Sequence, residues 1–229
     1  MSPVTLEACV TSLEAAQLAV AQGADRLELC AELAVGGVTP EAEQVTAAAK
    51  LGVPVMVLIR CRAGSFCYTS GEVQTMAEQL SEALEAGAAG VVLGALSPEG
   101  AVDEAALAVW LERLKRQASA VPVTFHRAFD AARDLPEAWR CLQRFPAITR
   151  VLTSGGAPQA RQGGAALSAL QQLPGPTVLA GGGVRPEHAR AVVAATGVTE
   201  LHFSAMQADG TPHPTRVQQM RACFPASAR

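Results

Sequence analysis

Short apolar runs alternate with longer segments of helical periodicity along the whole chain. Three of the runs follow a glycine that closes an Ala-rich helical segment, as C-terminal helix caps do. Three others begin at a proline, which suits the first residue of a strand because no ladder hydrogen bond is lost there. Together with two further runs, the pattern predicts eight strands, near residues 4–9, 23–30, 54–60, 87–94, 122–126, 150–153, 176–181 and 197–204.

A helix is predicted after each of these strands. The helical segments lie near residues 13–22, 40–51, 70–86, 103–118, 135–144, 159–172, 186–195 and 214–222. Strict alternation of strand and helix over 229 residues predicts an α/β protein built as a single (β/α)8 TIM barrel. We expect one domain over residues 1–229, with the barrel at about 4–205.

Side-chain alternation then predicts which residues fill the barrel. Successive residues of a strand point to opposite faces, so placing Glu7 inside decides the rest of its strand, and the same choice extends to the others. The residues predicted to face outward are apolar, whereas those predicted to face inward include charged, polar and apolar residues. The predicted inward positions are Thr5, Glu7, Cys9, Arg26, Glu28, Cys30, Met56, Leu58, Arg60, Thr124, His126, Val151, Thr153, Val178, Ala180, Gly182, His202 and Ser204.

Ionisable residues among the inward positions need an explanation, because burying a charge is costly unless it is paired or solvated. Glu7 and Glu28 could form a structural ion network with Arg60 or Arg26. Alternatively, the charged groups could surround a solvated pocket at the carboxyl ends of the strands, where TIM-barrel sites lie. We favour the pocket, because barrel interiors are usually filled by branched aliphatic side chains.

The segments after several strands carry further candidate binding residues. The fifth strand ends in His126 and Arg127, with Asp130 close behind, and small residues follow the sixth, seventh and eighth strands. Amides freed by glycine can hold a phosphate or carboxylate, although glycine-rich loops can equally be tight turns. The predicted anion-binding residues are Thr153, Ser154, Gly155, Gly181, Gly182 and Ser204, with charge from Arg60, Arg62, Arg127 and Arg185.

Composition restricts the setting and the partners. The chain is 49% hydrophobic and 4% aromatic, with a formal charge of −3 and no basic cluster, so we expect no nucleic-acid partner. No apolar run approaches the ~20 residues of a membrane span, and the start lacks the features of a signal peptide. We therefore expect a cytoplasmic protein whose six cysteines are thiols. The sequence contains no Walker loop and no GxGxxG fingerprint between a strand and a helix, so it predicts no nucleotide cofactor.

Ordered motifs along the chain resemble one known family. They lie at residues 6–9, 23–30, 36–40, 66–68, 123–130, 150–155 and 180–184. These motifs run from about Leu6 to Ala205, and they are similar to those of the CutC family of copper homeostasis proteins. This resemblance implies a TIM barrel, a cytoplasmic and often dimeric protein, and a role in copper tolerance and copper binding. Ala63, Ser65 and Phe203 depart from the family pattern, and the chain ends sooner than many relatives do.

The resemblance suggests cysteines as copper ligands. Cu(I) prefers soft thiolates, and Cys30 and Cys67 are the cysteines that match the family pattern. If the protein binds copper, we expect Cu(I) to be held by Cys30 with Cys67 or a neighbouring thiol. Cys9 and Cys61 lie in the same sector of the barrel. A buried cysteine can also be a small apolar residue without further chemistry, and this interpretation stays open for each of the four.

An enzyme is the alternative class of function. A set of carboxylates and histidines around a glycine-rich mouth could transfer protons on a small phosphorylated or carboxylated metabolite, or bind a divalent cation. The predicted catalytic residues are Glu7, Glu28, His126, Asp130 and His202. The sequence names no substrate, and the fold assigns no reaction.

Overall fold

Eight parallel strands form a closed barrel in a computed structural model that describes residues 3–117 and 120–225. Each strand pairs with the next along the chain, and the last pairs with the first. The predicted (β/α)8 TIM barrel is therefore confirmed. The strands are β1 (Thr5–Val10), β2 (Arg26–Leu29), β3 (Val55–Leu58), β4 (Gly90–Leu93), β5 (Val123–Phe125), β6 (Ile148–Thr153), β7 (Thr177–Ala180) and β8 (Glu200–Ser204).

A helix follows every strand, as the pattern predicted. The helices are α1 (Leu13–Ala21), α2 (Ala42–Ala48), α3 (Ser70–Glu85), α4 (Glu104–Gln117), α5 (Leu135–Leu142), α6 (Gly164–Gln171), α7 (Pro186–Thr196) and α8 (Arg216–Cys223). The predicted end of the fourth helix at 118 lies outside the described residues. The sixth helix begins at Gly164 rather than 159, because turns occupy the residues before it. None of the helices in the described ranges is long and apolar enough to cross a membrane.

Local sequence signals account for several helix ends. Thr69 and Glu72 form a reciprocal capping box at the start of α3, which satisfies two backbone donors. The Asp134 side chain accepts from the Glu137 amide at the start of α5. Gly197 ends α7 with φ of +74°, a left-handed conformation that costs glycine little.

Two layers of side chains hold the barrel together. The larger layer lies between strands and helices and contains the fully buried Trp110 and Trp139. The smaller layer lies inside the barrel, where Met56, Leu58 and Val92 pack with two cysteines. Burial of large apolar side chains in the outer layer dominates the stability, which leaves the interior free to carry polar groups.

The predicted alternation is wrong for β6 and β7. Val151, Val178 and Ala180 pack in the outer layer, and Thr153 pairs with Ala180 on the same face. Leu152 and Leu179 are instead paired on the inward face, in register with Glu200 of β8. Strand β7 is apolar on both faces, so alternation carried no signal there. In β6 the inward residue is Arg150, which pairs with Glu200, and the predicted alternation had placed it on the outward face. The β5–β6 ladder is also irregular between Val123 and Thr124.

Candidate functional site

A cavity of about 460 Å³ opens at the carboxyl ends of the strands. Its walls bring together side chains from β1, β2 and β8 and from the segments after β3 and β5, and we call it the mouth cavity. Its wall includes Cys9, Glu28, Arg60, Phe66, His126 and His202. Glu7 lies below it, fully buried and hydrogen-bonded to His202. Five of the ionisable groups that alternation pointed inward therefore converge on one region, namely Glu7, Glu28, Arg60, His126 and His202.

A chain of alternating charges runs through the barrel interior below the cavity. Arg150 Nε donates to Glu200 Oε2 at 3.0 Å, and Glu200 also accepts from Arg26. Arg26 pairs in turn with Glu7, whose second oxygen lies 2.8 Å from His202 Nδ1. Each buried charge has an opposite neighbour, so part of the interior is the structural network that we considered as an alternative. The chain ends at His202 in the cavity wall.

The protonation of this network follows from its contacts. Burial opposes the ionisation of Glu7, but the hydrogen bond with His202 and the charge of Arg26 lower its pKa to about 2. Burial raises the pKa of Glu28, against the attraction of His202. Burial disfavours charge on His202, yet Glu28 and Glu7 together raise its pKa. Glu7 is therefore a fixed carboxylate, whereas Glu28 and His202 are the groups that can exchange protons.

Two thiols face each other beside this network. The Sγ atoms of Cys9 and Cys30 are 3.7 Å apart, and both side chains are buried. Ligand atoms of Cys9, Glu28 and His202 all lie within 4.8 Å of one another. The contact with Cys30 and burial raise the pKa of Cys9 well above its usual value. A cation placed among these groups would relieve the repulsion that keeps Cys9 protonated.

The opposite wall carries a buried cation. Arg60 donates from Nη1 to the carbonyl of Gly37 and from Nη2 to that of Gly64, both at 2.8 Å, and its guanidinium lies over the Phe66 ring. Across the described residues it forms no ion pair with a carboxylate, and its Nε has no hydrogen-bond partner. Arg60 is only 5% exposed. Carbonyl oxygens thus hold this charge without neutralising it.

His126 stands beside Arg60 as a neutral hydrogen-bond donor. Its Nδ1 accepts from the Ala128 amide at 3.1 Å, so the proton of the neutral ring is on Nε2. Burial and the nearby charge of Arg60 lower its pKa to about 3. Within the described part of the chain, Nε2 has no partner.

Two predicted site residues point away from the mouth cavity. Arg62 pairs with Glu72 and donates to the Cys67 carbonyl, which fixes the segment after β3. The Cys67 thiol donates to the Ser97 carbonyl at 3.3 Å. The thiol that faces Cys30 is therefore that of Cys9, and Cys67 lies outside both the cavity wall and the Cys9 cluster.

The donors of the predicted anion-binding loop after β6 bind a carboxylate of the protein itself. Asp130 accepts hydrogen bonds from the Ser154 amide and hydroxyl and from the Gly156 amide, and it also pairs with Arg127. The Gly155 amide donates to the Thr153 hydroxyl at 2.8 Å. Asp130, Thr153, Ser154 and Gly155 were expected to bind a ligand or to act in catalysis, but they are consumed in closing the loop. Arg127 also borders the mouth cavity, and its side chain is 42% exposed.

The segments after β7 and β8 are partly available. The Gly181 amide donates to the Thr153 carbonyl at 2.9 Å, so Gly181 is not a free donor. The Ser204 hydroxyl accepts from the Met206 amide at 3.0 Å, although Ser204 borders the cavity. Gly182 also borders it, and its amide donates no hydrogen bond within residues 3–117 and 120–225.

Two functional features were missed from the sequence. Glu200 belongs to the interior network and lies two residues before His202, so the alternation already used for β8 would have found it. The pairing of Cys9 with Cys30 follows from the β1–β2 register, in which Cys9 lies opposite Glu28. The sequence gives no direct signal for that register.

The fold and the cavity define a TIM-barrel protein with a charged site at the carboxyl ends of its strands. The chain belongs to the CutC family, whose model matches residues 4–207. A family protein CutC of Agrobacterium fabrum is 42% identical over 204 residues, which cover 88% of this chain and 79% of the relative. A CutC protein of Pasteurella multocida is 39% identical over 202 residues, covering 87% and 81%.

Solved structures agree with this assignment. The crystal structure of a protein described as the copper homeostasis protein CutC from Streptococcus agalactiae superposes with a TM-score of 0.79 at 28% identity, covering 87% of this chain and 97% of that one. Phosphoribosyl anthranilate isomerase from Thermotoga maritima gives a TM-score of 0.62 at 13% identity, covering 96% and 98%. At this low identity the second likeness shows the barrel fold alone.

Proposed function

We propose that this protein takes part in copper homeostasis by binding Cu(I) at the edge of the mouth cavity. The ligands are Cys9, which borders the cavity, and Cys30, whose sulfur faces that of Cys9, with His202 near Cys9 as a further ligand. The observation that carries the proposal is the 3.7 Å separation of the two buried sulfurs. Two sulfurs each about 2.3 Å from one metal ion lie at most about 4.6 Å apart, so a single ion can contact both. Family membership and the description of the Streptococcus agalactiae protein as a copper homeostasis protein support the same function.

The surroundings of the two thiols suit a soft cation. Cu(I) favours thiolate and imidazole ligands, and both types are within reach. The hydrogen bond with Cys30 and burial are the main causes of the raised pKa of Cys9, and the charge of Glu28 adds to them. Binding would replace thiol protons by the metal ion, so affinity should increase with pH. The six free cysteines support a location in a reducing compartment, and we propose the cytoplasm.

Competition with a Cu(I) chelator tests this assignment. Cys9→Ser and Cys30→Ser should each reduce the affinity for Cu(I) at least tenfold, because each removes one thiolate from the pair. Cys67→Ser and Cys141→Ser are matched controls, since these thiols contact the Ser97 carbonyl and Arg144 instead, and they should bind like the parent protein. If Cys67→Ser abolishes binding while Cys9→Ser does not, the proposed site is wrong.

A second candidate function is acid–base catalysis on a small carboxylated or phosphorylated metabolite. The observation that favours it is the Glu28 carboxyl group, which has a raised pKa, lines the cavity and lies 4.0 Å from His202. Within the described residues, its Oε2 has no hydrogen-bond partner. Turnover of a metabolite panel that is lost in Glu28→Gln but kept in Cys30→Ser would favour this function over copper binding.

A further inference from the structure

On the side of the mouth cavity formed by Arg60, Phe66 and His126, two buried donors have no hydrogen-bond partner among the residues that the structure describes. Arg60 uses three of its five N–H groups on carbonyl oxygens of Val35, Gly37 and Gly64. The N–H of Nε is left without a partner among the described residues. The nearby Tyr68 hydroxyl, which also has no hydrogen-bond partner among the described residues, does not satisfy it. Because leaving a buried donor unsatisfied is costly, this wall has room for a further acceptor.

The positive charge on this wall is equally unmatched. In the parts of the chain that the structure describes, the arginines inside the barrel below, Arg26 and Arg150, both pair with carboxylates. Among the same residues, Arg60 forms no such pair, although it is only 5% exposed. A buried guanidinium held only by carbonyl dipoles attracts an anion strongly, because little water screens it.

His126 adds a second donor with a fixed orientation. The Ala128 amide holds its Nδ1 as an acceptor, so Nε2 presents its proton. The Phe66 ring contacts both groups, with its centroid 5.0 Å from the imidazole centroid and 5.1 Å from the Arg60 guanidinium carbon. A cation and a neutral donor are thus fixed around one apolar ring.

We infer that this wall binds the carboxylate or phosphate group of a small organic anion, with Arg60 and His126 as the recognising donors. Nε and Nη2 of an arginine share one edge of the planar fork, which oxyanions contact in a bidentate manner. The cavity volume of about 460 Å³ suits a metabolite rather than a macromolecule. Apolar neighbours such as Phe66 and Leu58 would contact its carbon skeleton.

This inference specifies the ligand class of the second candidate function, and it does not depend on copper. The copper ligands lie on β1 and β8 and directly after β2, whereas the anion donors follow β3 and β5. The two sites can therefore be tested separately in the same protein.

Calorimetric titration of the metal-free protein with acetate, lactate, inorganic phosphate and glycerol phosphate tests the inference. We expect at least one of these probes to bind, and Arg60→Gln to weaken its binding at least tenfold. Arg62→Gln is the matched control, because Arg62 pairs with Glu72 outside the cavity, and it should bind like the parent protein. A preference for the phosphates or for the carboxylates identifies the anionic group. Failure of all four probes to bind, or equal binding by Arg60→Gln, overturns the inference.

Two further variants keep the test decisive if Arg60→Gln does not fold. Arg60→Lys retains the charge without the fork, and His126→Gln removes the imidazole donor, so each should weaken binding at least threefold. Parent-like affinity in both variants overturns the inference. Cys9→Ser should bind the anion normally, and Arg60→Gln should bind Cu(I) normally. Loss of one activity without the other separates a failure of the anion site from a failure of the copper site.

Discussion

Replacement of Glu7 by Gln should destabilise the metal-free protein by about 3 kcal/mol at pH 7. Glu7 is fully buried and is held between Arg26 and His202. Breaking a buried pair by removing one partner costs about 3–5 kcal/mol. The lower end applies here, because Arg26 keeps its contact with Glu200 and the Gln side chain still fills the space.

The lowered pKa of Glu7, which has the same contacts as its cause, leads to a similar magnitude and predicts its dependence on pH. The pKa of Glu7 is lowered from 4.5 to about 2 in the folded protein, which corresponds to about 3 kcal/mol. A depressed folded-state pKa contributes stability above the unfolded value, and this contribution is lost as the pH falls through the folded value. The difference between the parent protein and Glu7→Gln should therefore be full above about pH 5 and should decline between pH 4.5 and 2.

Urea denaturation at several pH values, followed by circular dichroism and tryptophan fluorescence, measures this difference. Trp110 and Trp139 are both fully buried, so fluorescence reports on loss of the outer layer. Glu112→Gln is a suitable control, since its exposed pair with Arg116 should contribute less than about 1 kcal/mol. A loss below 1 kcal/mol at pH 7, or a difference that is unchanged at pH 3, would refute the reasoning.

Three further predictions concern other parts of the molecule. The imidazole of His126 should show no titration between pH 5 and 8 by NMR, because burial and Arg60 lower its pKa to about 3; a midpoint near 6.5 would contradict this. Thr69→Ala should lower the free energy of unfolding by about 1 kcal/mol in urea melts, since it removes the capping box of α3, and no change would argue against that cap. Gly90→Ala should cost at least about 2 kcal/mol, because its Cβ would lie 2.5 Å from the Pro122 carbonyl oxygen, and an unchanged melting temperature would show that the strand can shift freely.

The barrel was predictable from the sequence because glycines at helix ends and prolines at strand starts are local signals. Gly23, Gly87 and Gly197 all have positive φ, as predicted for residues that follow helices. Charged residues at alternate positions of β1, β2 and β8 marked the inward face, and their convergence followed. Strand β7 lacked such a marker, so its orientation depended on the register with its neighbours, which the sequence does not show. In β6 the marker was Arg150, whose pairing with Glu200 places it on the inward face.

The candidate site was only partly predictable, because several assignments depend on hydrogen bonds between distant segments. Asp130 looked like a catalytic carboxylate, but the amides of the loop after β6 surround it. Cys67 matched the family motif, yet the carbonyl of Ser97 holds its thiol. Conversely, the isolation of Arg60 became visible only when the partners of every neighbouring carboxylate were known.

X-ray absorption spectroscopy of the protein loaded with one equivalent of Cu(I) tests the central claim most directly, because it reports the atoms bound to the metal. We predict two sulfur scatterers from Cys9 and Cys30 and an imidazole contribution from His202, with one sulfur lost in Cys9→Ser. A first shell made only of nitrogen and oxygen, or a spectrum unchanged in both Cys9→Ser and Cys30→Ser, would contradict a thiolate copper site in the mouth cavity.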